Sequence, residues 1–476
     1  MTSKPRIFVS LLLGVALTGC NMAPRYVRPA GAVPTTLPEG TVYPDAAAEG
    51  QDIARIGWRD FFLDPRLREV IALGLENNRD LQVAAANVLR ARAEYRVQRA
   101  DLLPTIDASA RATYANSQGL AARSGTGTGG TDGGTSEIYR ADIGVSAFEI
   151  DLWGKVRNLN EAALQSYFAS DEARKATRIS LIAEIGSAWL TLAADRDMLA
   201  VARDTLESYA RTRELTEAQF RIGTVSELEV RQADTNYQSA RDDVAALQTL
   251  IAQDKNALDL LVGMPVAEEH LPAGMGDEAF TLDALPADMD SAVLLRRPDV
   301  LEAEHRLMAQ NANIGAARAA IFPTISLTAS FGTISSALSG LLKGNSEAWS
   351  VSPDVSQTIF DFGRGTSNLA AVKAGQKAAV ATYEKAVQTA FREVADALAT
   401  RGTIDERVSA LTARADSADV AAKLSDARYR AGIDSFLTLL DSQRTAYAAK
   451  RAIITGRLNR ATNLVTLYRA LGGGLN

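Results

Sequence analysis

The sequence predicts a mixed α and β fold made of a duplicated unit, with long helices flanking four strands that each have one apolar and one polar face. Three observations predict it: a helical hairpin that occurs twice, two very long proline-free stretches, and four segments that alternate with period two. The hairpin reads Phe220-Arg-Ile-Gly-Thr-Val-Ser-Glu-Leu228 in the first half and Tyr429-Arg-Ala-Gly-Ile-Asp-Ser-Phe-Leu437 in the second. Arg221 pairs with Arg430, Gly223 with Gly432 and Ser226 with Ser435, and the register continues without a gap to Gly263 and Gly472. Self-similarity at a fixed offset marks a repeated architecture.

No proline occurs between Pro104 and Pro265, or after Pro353. Such stretches, rich in Ala, Leu, Arg, Glu and Gln, read as helices. Lys155 to Phe220 and its partner Arg364 to Tyr429 are each about 66 residues, roughly 100 Å at 1.5 Å per residue. Helices of that length need coiled-coil-like neighbours. Shorter helices are expected over Asp64 to Asp101, Ser226 to Leu261, Pro298 to Ala320 and Ser435 to Ala470. Two of these stacked end to end match one long helix, as in the wall of a tall helical barrel. At the hairpins, Gly223 and Gly432 suit the left-handed residue that ends a helix. Ser226 with Glu229 forms a capping box, whereas Ser435 has Thr438 at that place.

The strands start at Ile106, Tyr139, Ile325 and Trp349. In the first, Ile106, Ala108, Ala110, Ala112 and Tyr114 alternate with Asp107, Ser109, Arg111 and Thr113. In the second, Ala141, Ile143, Val145 and Ala147 alternate with Arg140, Asp142, Gly144 and Ser146. This pattern fits transmembrane β-strands, and Tyr114, Tyr139, Phe331 and Trp349 sit where an interfacial girdle would lie. A soluble half-buried sheet is the alternative on pattern alone. Pro353 is awkward in a central strand and marks a bulge or a non-bonding position. Four strands cannot close a barrel, and lipid forbids open edges, so a membrane-spanning form requires oligomerisation.

The amino terminus reads as a signal peptide over 1–19: Lys4 and Arg6, an apolar run from Ile7 to Ala16, then Leu17-Thr18-Gly19-Cys20. Cys20 is the only cysteine, so no disulfide forms within one chain. The four residues resemble a bacterial lipobox, which implies cleavage before Cys20 and covalent lipid upon it, with Asn21 favouring the outer membrane. A buried thiol is the alternative. The formal charge of −6 argues against nucleic acid as a partner. His270 and His305 lack ligand spacing, Met264 and Met308 read as packing, and no nucleophile-base or metal set is present, so neither an enzyme nor a resident cofactor is expected. Gly125 to Gly130 matches a dinucleotide fingerprint by letters, but lies between two strands and reads as a loop. The chain divides into 20–63, an extended segment; 64–265, the first repeat with a β-hairpin over 105–150; 266–288, a linker; and 289–476, the second repeat with a β-hairpin over 323–360.

The order of these features resembles the outer membrane factors of tripartite efflux systems, the TolC/OprM type and its NodT-like lipoprotein branch. The matching motifs include Trp58-Arg-Asp-Phe-Phe-Leu-Asp-Pro-Arg-Leu67, Asn77-Asn-Arg-Asp-Leu81, Leu103-Pro-Thr-Ile106, Phe322-Pro-Thr-Ile325, Leu295-Arg-Arg-Pro-Asp-Val300 and Ile359-Phe-Asp-Phe-Gly-Arg364. The resemblance implies a homotrimer with a twelve-stranded β-barrel in the outer membrane and a periplasmic α-helical barrel. It implies an exit duct for drugs or other small molecules, partnered by a periplasmic adaptor and an inner-membrane pump of the resistance-nodulation-division class. Arg221, Gly223, Ser226, Arg430, Gly432 and Ser435 would form the adaptor-facing tips. Asp441 matches the family's constricting Asp, Leu437 an apolar ring residue and Arg444 a basic neighbour; i, i+4 and i+3 spacing puts them on one helix face. Gln232 holds the matching place in the first repeat, and Thr438 stands where some relatives carry another gate carboxylate. Without the resemblance, Asp441 reads as a solvated carboxylate paired with Arg444. A duct for metal ions or secreted proteins, and a lipid-anchored coiled-coil scaffold without a pore, are the other readings.

Overall fold

The computed structural model describes residues 21–43, 56–116, 135–276, 279–282 and 291–474. The chain forms two compact units, each drawn from three stretches: 1–28, 89–169 and 304–382 in one, 29–88, 170–303 and 383–476 in the other.

The first unit carries the sheet. Strands β1 (Ile106–Asn116), β2 (Thr135–Glu149), β3 (Thr324–Ser335) and β4 (Glu347–Ser356) pair antiparallel in the order β1-β2-β3-β4. The ladder between β3 and β4 runs without a register shift through Pro353, so the proline marks no bulge. The bulge lies instead in β2. Between Val145, opposite Ala329, and Phe148, opposite Leu327, two residues face one. Ala147 takes φ +50 there and its N–H donates to the Thr328 hydroxyl at 3.1 Å. The extra residue shifts the side-chain parity. The apolar face therefore continues through Phe148, not through Ala147 as strict alternation predicts. Ala162, Ala309 and Ala312 pack together in this unit, letting their helices approach closely.

Eight helices stand among the described residues: α1 (Trp58–Phe61), α2 (Pro65–Asn77), α3 (Arg79–Ala100), α4 (Lys155–Arg221), α5 (Glu227–Val262), α6 (Pro298–Ala319), α7 (Arg364–Arg430) and α8 (Phe436–Ala470). Helices α4 and α7 each have 67 residues and repeat at an offset of 209. The helix expected over Asp64 to Asp101 is broken at Asn78, whose ψ is 131°. Asn78 replaces the lost helical bonds: its amide nitrogen donates to Leu261 O at 2.8 Å and its side-chain oxygen accepts from Leu81 N–H at 2.8 Å. Arg297 performs the same task in the second repeat, donating to Ala470 O at 2.7 Å. The two halves thus anchor the start of α3 and of α6 to the end of α5 and of α8. Gly263 closes α5 at φ +83, where an added Cβ would lie 2.4 Å from Asn77 O.

The core of the second unit explains the Trp58-to-Leu67 motif as packing. Phe61 stacks on Tyr468 with ring centres 4.0 Å apart, and the Tyr468 hydroxyl donates to Ile56 O at 2.7 Å. Trp58, Phe62, Leu67, Ile185 and Trp189 are buried with them. The stretch read as a linker packs on α4: Trp189 Nε1 donates to His270 O at 3.0 Å and Met275 N–H donates to Asp197 at 2.9 Å.

A carboxylate pair, Asp195 buried and Asp254 half-buried, also lies between α4 and α5. Burial pushes the Asp195 carboxyl up to about 7, and its hydrogen bond to Asp254 and that group's charge push the same way. At the 209-residue offset the second repeat has Ile404 and Asn463, both buried. The folded value lies above the ordinary 3.8, so the pair's contribution to stability is complete below about pH 4 and is lost as pH rises through about 7. The unfolding temperature is expected to fall between pH 5 and 8 in the wild type and to flatten in Asp195→Asn. Equal slopes in a fluorescence melt would contradict this.

Candidate functional site: hairpin tips and strand faces

Both hairpin turns are built alike. Gly223 (φ +82) donates to Phe220 O and Thr224 to Gln219 O; Gly432 (φ +72) donates to Tyr429 O and Ile433 to Arg428 O. These paired bonds satisfy the last carbonyls of α4 and α7. A Cβ at either glycine would touch nothing within 4 Å, so their exposed backbone leaves room for another surface. Ser226 caps α5 within a capping box, and Ser435 caps α8 by accepting from Thr438 N–H at 3.3 Å. Arg221 and Arg430 are exposed, the latter paired with Asp426 at 2.9 Å. The hairpins differ in what they bury. Tyr429, Phe436, Leu439 and Leu440 pack on Ala233 and Leu215, and the Tyr429 hydroxyl donates to Gln219 at 2.8 Å. Phe220, the counterpart of Tyr429 in the first hairpin, remains exposed.

Burial of Phe436, Leu439 and Leu440 leaves a neighbouring face of α8 outward. Leu437, Asp441 and Arg444 are all exposed on it. Among the described residues Asp441 makes no ion pair, with Arg444 or with any other base, and its carboxylate is solvated in the single chain.

The strands divide their faces cleanly. Tyr114, Tyr139, Phe331 and Trp349 share the apolar face, but in two rows. Phe331 lies opposite Ile143 and Trp349 in one row of the ladder. Tyr139 stands four residues further along β2, about 13 Å at 3.3 Å per residue. There its hydroxyl meets that of Tyr114 at 2.9 Å and donates to Glu137 at 2.9 Å. Trp349 is 76% exposed, so nothing among the described residues covers this face there. A second aromatic group lies away from these rows. Trp153 packs on Phe322 at 5.1 Å, Phe360 on Phe362 at 4.5 Å, and both of the last pair are exposed. These flank the helix-side ends of the strands. Their signal lay in the Phe322-Pro and Ile359-to-Arg364 motifs, which were legible as motifs but not as a lower belt.

Cys20 and the Gly125 to Gly130 loop lie outside the described residues. The residues after Cys20 are held firmly. The Asn21 side-chain oxygen accepts from buried Asn158 at 2.9 Å, Asn311 donates to Pro24 O at 2.8 Å, and Arg318 donates to Met22 O at 3.0 Å. Arg28 grips buried Glu304 with two bonds of 2.7 Å. Asn158 is only four residues into α4, close in sequence to Trp153 of the lower aromatic group. No helix among the described residues is long and apolar enough to cross a membrane.

The family model of the outer membrane efflux protein matches residues 70–264 and 291–473. TtgC, a probable efflux pump outer membrane protein of Pseudomonas putida, is 41% identical over 468 residues, covering 97% of this chain and 95% of that protein. OprJ, an outer membrane protein of Pseudomonas aeruginosa, is 40% identical over 475 residues, covering 99% and 96%. Among solved structures, the open state of the MtrE outer membrane channel of Neisseria gonorrhoeae superposes with a TM-score of 0.84 at 37% identity, covering 96% of this chain and 99% of that one.

Proposed function

Because this chain belongs to the outer membrane efflux protein family, whose members are channels and not enzymes, we propose that three copies of it close one twelve-stranded barrel, each joining β4 to the next chain's β1. The protein is an outer-membrane exit duct for efflux. One observation carries closure between chains: among the described residues the sheet has two open edges and an uncovered apolar face. Unpaired backbone groups in hydrocarbon cost several kcal/mol each, about enough to forbid an open sheet there. Closure between chains satisfies every edge, and known barrels need at least about eight strands.

Cys20 carries covalent lipid in this reading, its neighbour Asn21 being fixed beside the start of α4. Leu437, Asp441 and Arg444 line a constriction at which three Asp441 carboxylates meet. The exposed turns at Arg221, Gly223, Ser226 and at Arg430, Gly432, Ser435 receive a periplasmic adaptor, which links the duct to an inner-membrane pump. Efflux pump is the description carried by TtgC. The cargo is drugs or other small molecules.

Native mass spectrometry of the detergent-extracted protein should record three chains, each cleaved before Cys20 and heavier by acyl groups. A monomer would overturn the barrel; an unmodified Cys20 would overturn the anchor alone. Cysteines placed at Ser226 and Ser435 should crosslink an adaptor in cells. Capture only from the strand loops would remove the tips from that role.

A further inference from the structure

On the polar face of the sheet, β1 and β2 bring Arg111 directly opposite Arg140. Like charges facing each other across a ladder destabilise it. Arg140 is fixed in place: it pairs with Asp142 at 2.8 Å and donates to the Ser330 hydroxyl at 3.0 Å. Asp142 in turn accepts a hydrogen bond from Ser109. Arg111 is exposed and makes no hydrogen bond or ion pair among the described residues. Only one of the two guanidinium groups is therefore paired with a carboxylate.

The internal repeat shows that the sheet does not need this pair. Aligning Leu103-Pro-Thr-Ile106 with Phe322-Pro-Thr-Ile325 places Arg111 on Ser330. The ladder partner of Ser330 is Ser350, and the two hydroxyls hydrogen-bond at 2.9 Å. The same place in the second hairpin is thus filled by a neutral, mutually satisfied pair. The first hairpin has replaced it with a repelling one, and the sheet gains nothing from the exchange.

We propose that Arg111 and Arg140 form an anion-attracting ring halfway up the barrel lumen, which favours passage of chloride and of solutes bearing carboxylate, sulfonate or phosphate groups. The ring rests on the reading of a trimeric barrel with this face inward. Arg111 is the sixth of eleven residues of β1, so the ring lies at mid-height of the strand. Three chains contribute six guanidinium groups against three Asp142 carboxylates. A ring of fixed charge in a narrow aqueous lumen raises the local concentration of its counter-ion, and lumen substitutions tune selectivity without touching the lipid face.

The test is the reversal potential of single channels under a potassium chloride gradient, for wild type, Arg111→Ser and Arg111→Lys. Arg111→Ser installs the residue the second hairpin already tolerates. It should lower the chloride-to-potassium permeability ratio by about threefold, while Arg111→Lys keeps the wild-type ratio. Unitary currents with an unchanged ratio in Arg111→Ser would overturn the ring and leave the duct intact. Inserted wild-type protein without unitary currents would overturn the duct reading and the ring with it.

Discussion

Replacing Arg297 by methionine is expected to destabilise the folded chain by about 3–5 kcal/mol, the cost of removing one partner from a buried ionic network. The Arg297 side chain is 8% exposed and uses every nitrogen. It bonds Asp299 at 3.0 and 2.6 Å, Glu393 at 2.9 Å and Ala470 O at 2.7 Å. Its loss leaves a carboxylate of α7 and the last turn of α8 without their partner at once. Arg297→Lys should recover only part of the loss, since an ammonium cannot hold a planar fork of three acceptors. The measurement is the thermal midpoint of the solubilised protein; a midpoint equal to wild type for Arg297→Met would refute this account. Asn78→Leu, at the equivalent place in the first repeat, should be milder because no charge is stranded.

Asp441→Ala is expected to raise single-channel conductance several-fold in planar bilayers, because in the proposed trimer three converging carboxylates would bind cations and narrow the path. The carboxylate is exposed and unpaired in the single chain, so its removal should leave the thermal midpoint within about 0.5 kcal/mol of wild type, as for surface positions generally. Conductance and stability then separate a gate from a structural residue. Equal conductance in the two proteins would keep the duct and move the gate elsewhere. Gln232→Ala, the counterpart in the first hairpin, should leave conductance unchanged.

Much of this architecture is legible because helix and strand periods are so different. Proline spacing and the repeated Arg-x-Gly turn place the ends of α4 and α7 within one residue of where they fall. The strands announce themselves by alternation from Ile106, but alternation cannot reveal a residue that pairs with nothing. The bulge at Ser146 and Ala147 is therefore invisible until the ladder is seen, and Pro353 attracts the suspicion instead. The break at Asn78 is hidden for a related reason. Asn and Arg at equivalent places share no propensity; what they share is a donor that reaches a carbonyl 183 or 173 residues away. Candidate site residues on exposed turns are readable from local chemistry. The Arg111 and Arg140 pair needs register, which only the folded sheet supplies.

Helix α3 has no buried residue, although Leu81, Ala84, Val88, Ala91, Tyr95 and Gln98 are half-buried at spacings of three and four. One seam of a coiled coil is thus occupied, while Val83, Leu89 and Val97 face outward uncovered. In the proposed trimer these residues meet a neighbouring copy, so the folding of a newly exported chain would be completed only on assembly. Its stability is inseparable from its concentration. At low expression the lone chain is a substrate for proteases and chaperones, so the cell's supply of ducts should rise more steeply than its supply of chains.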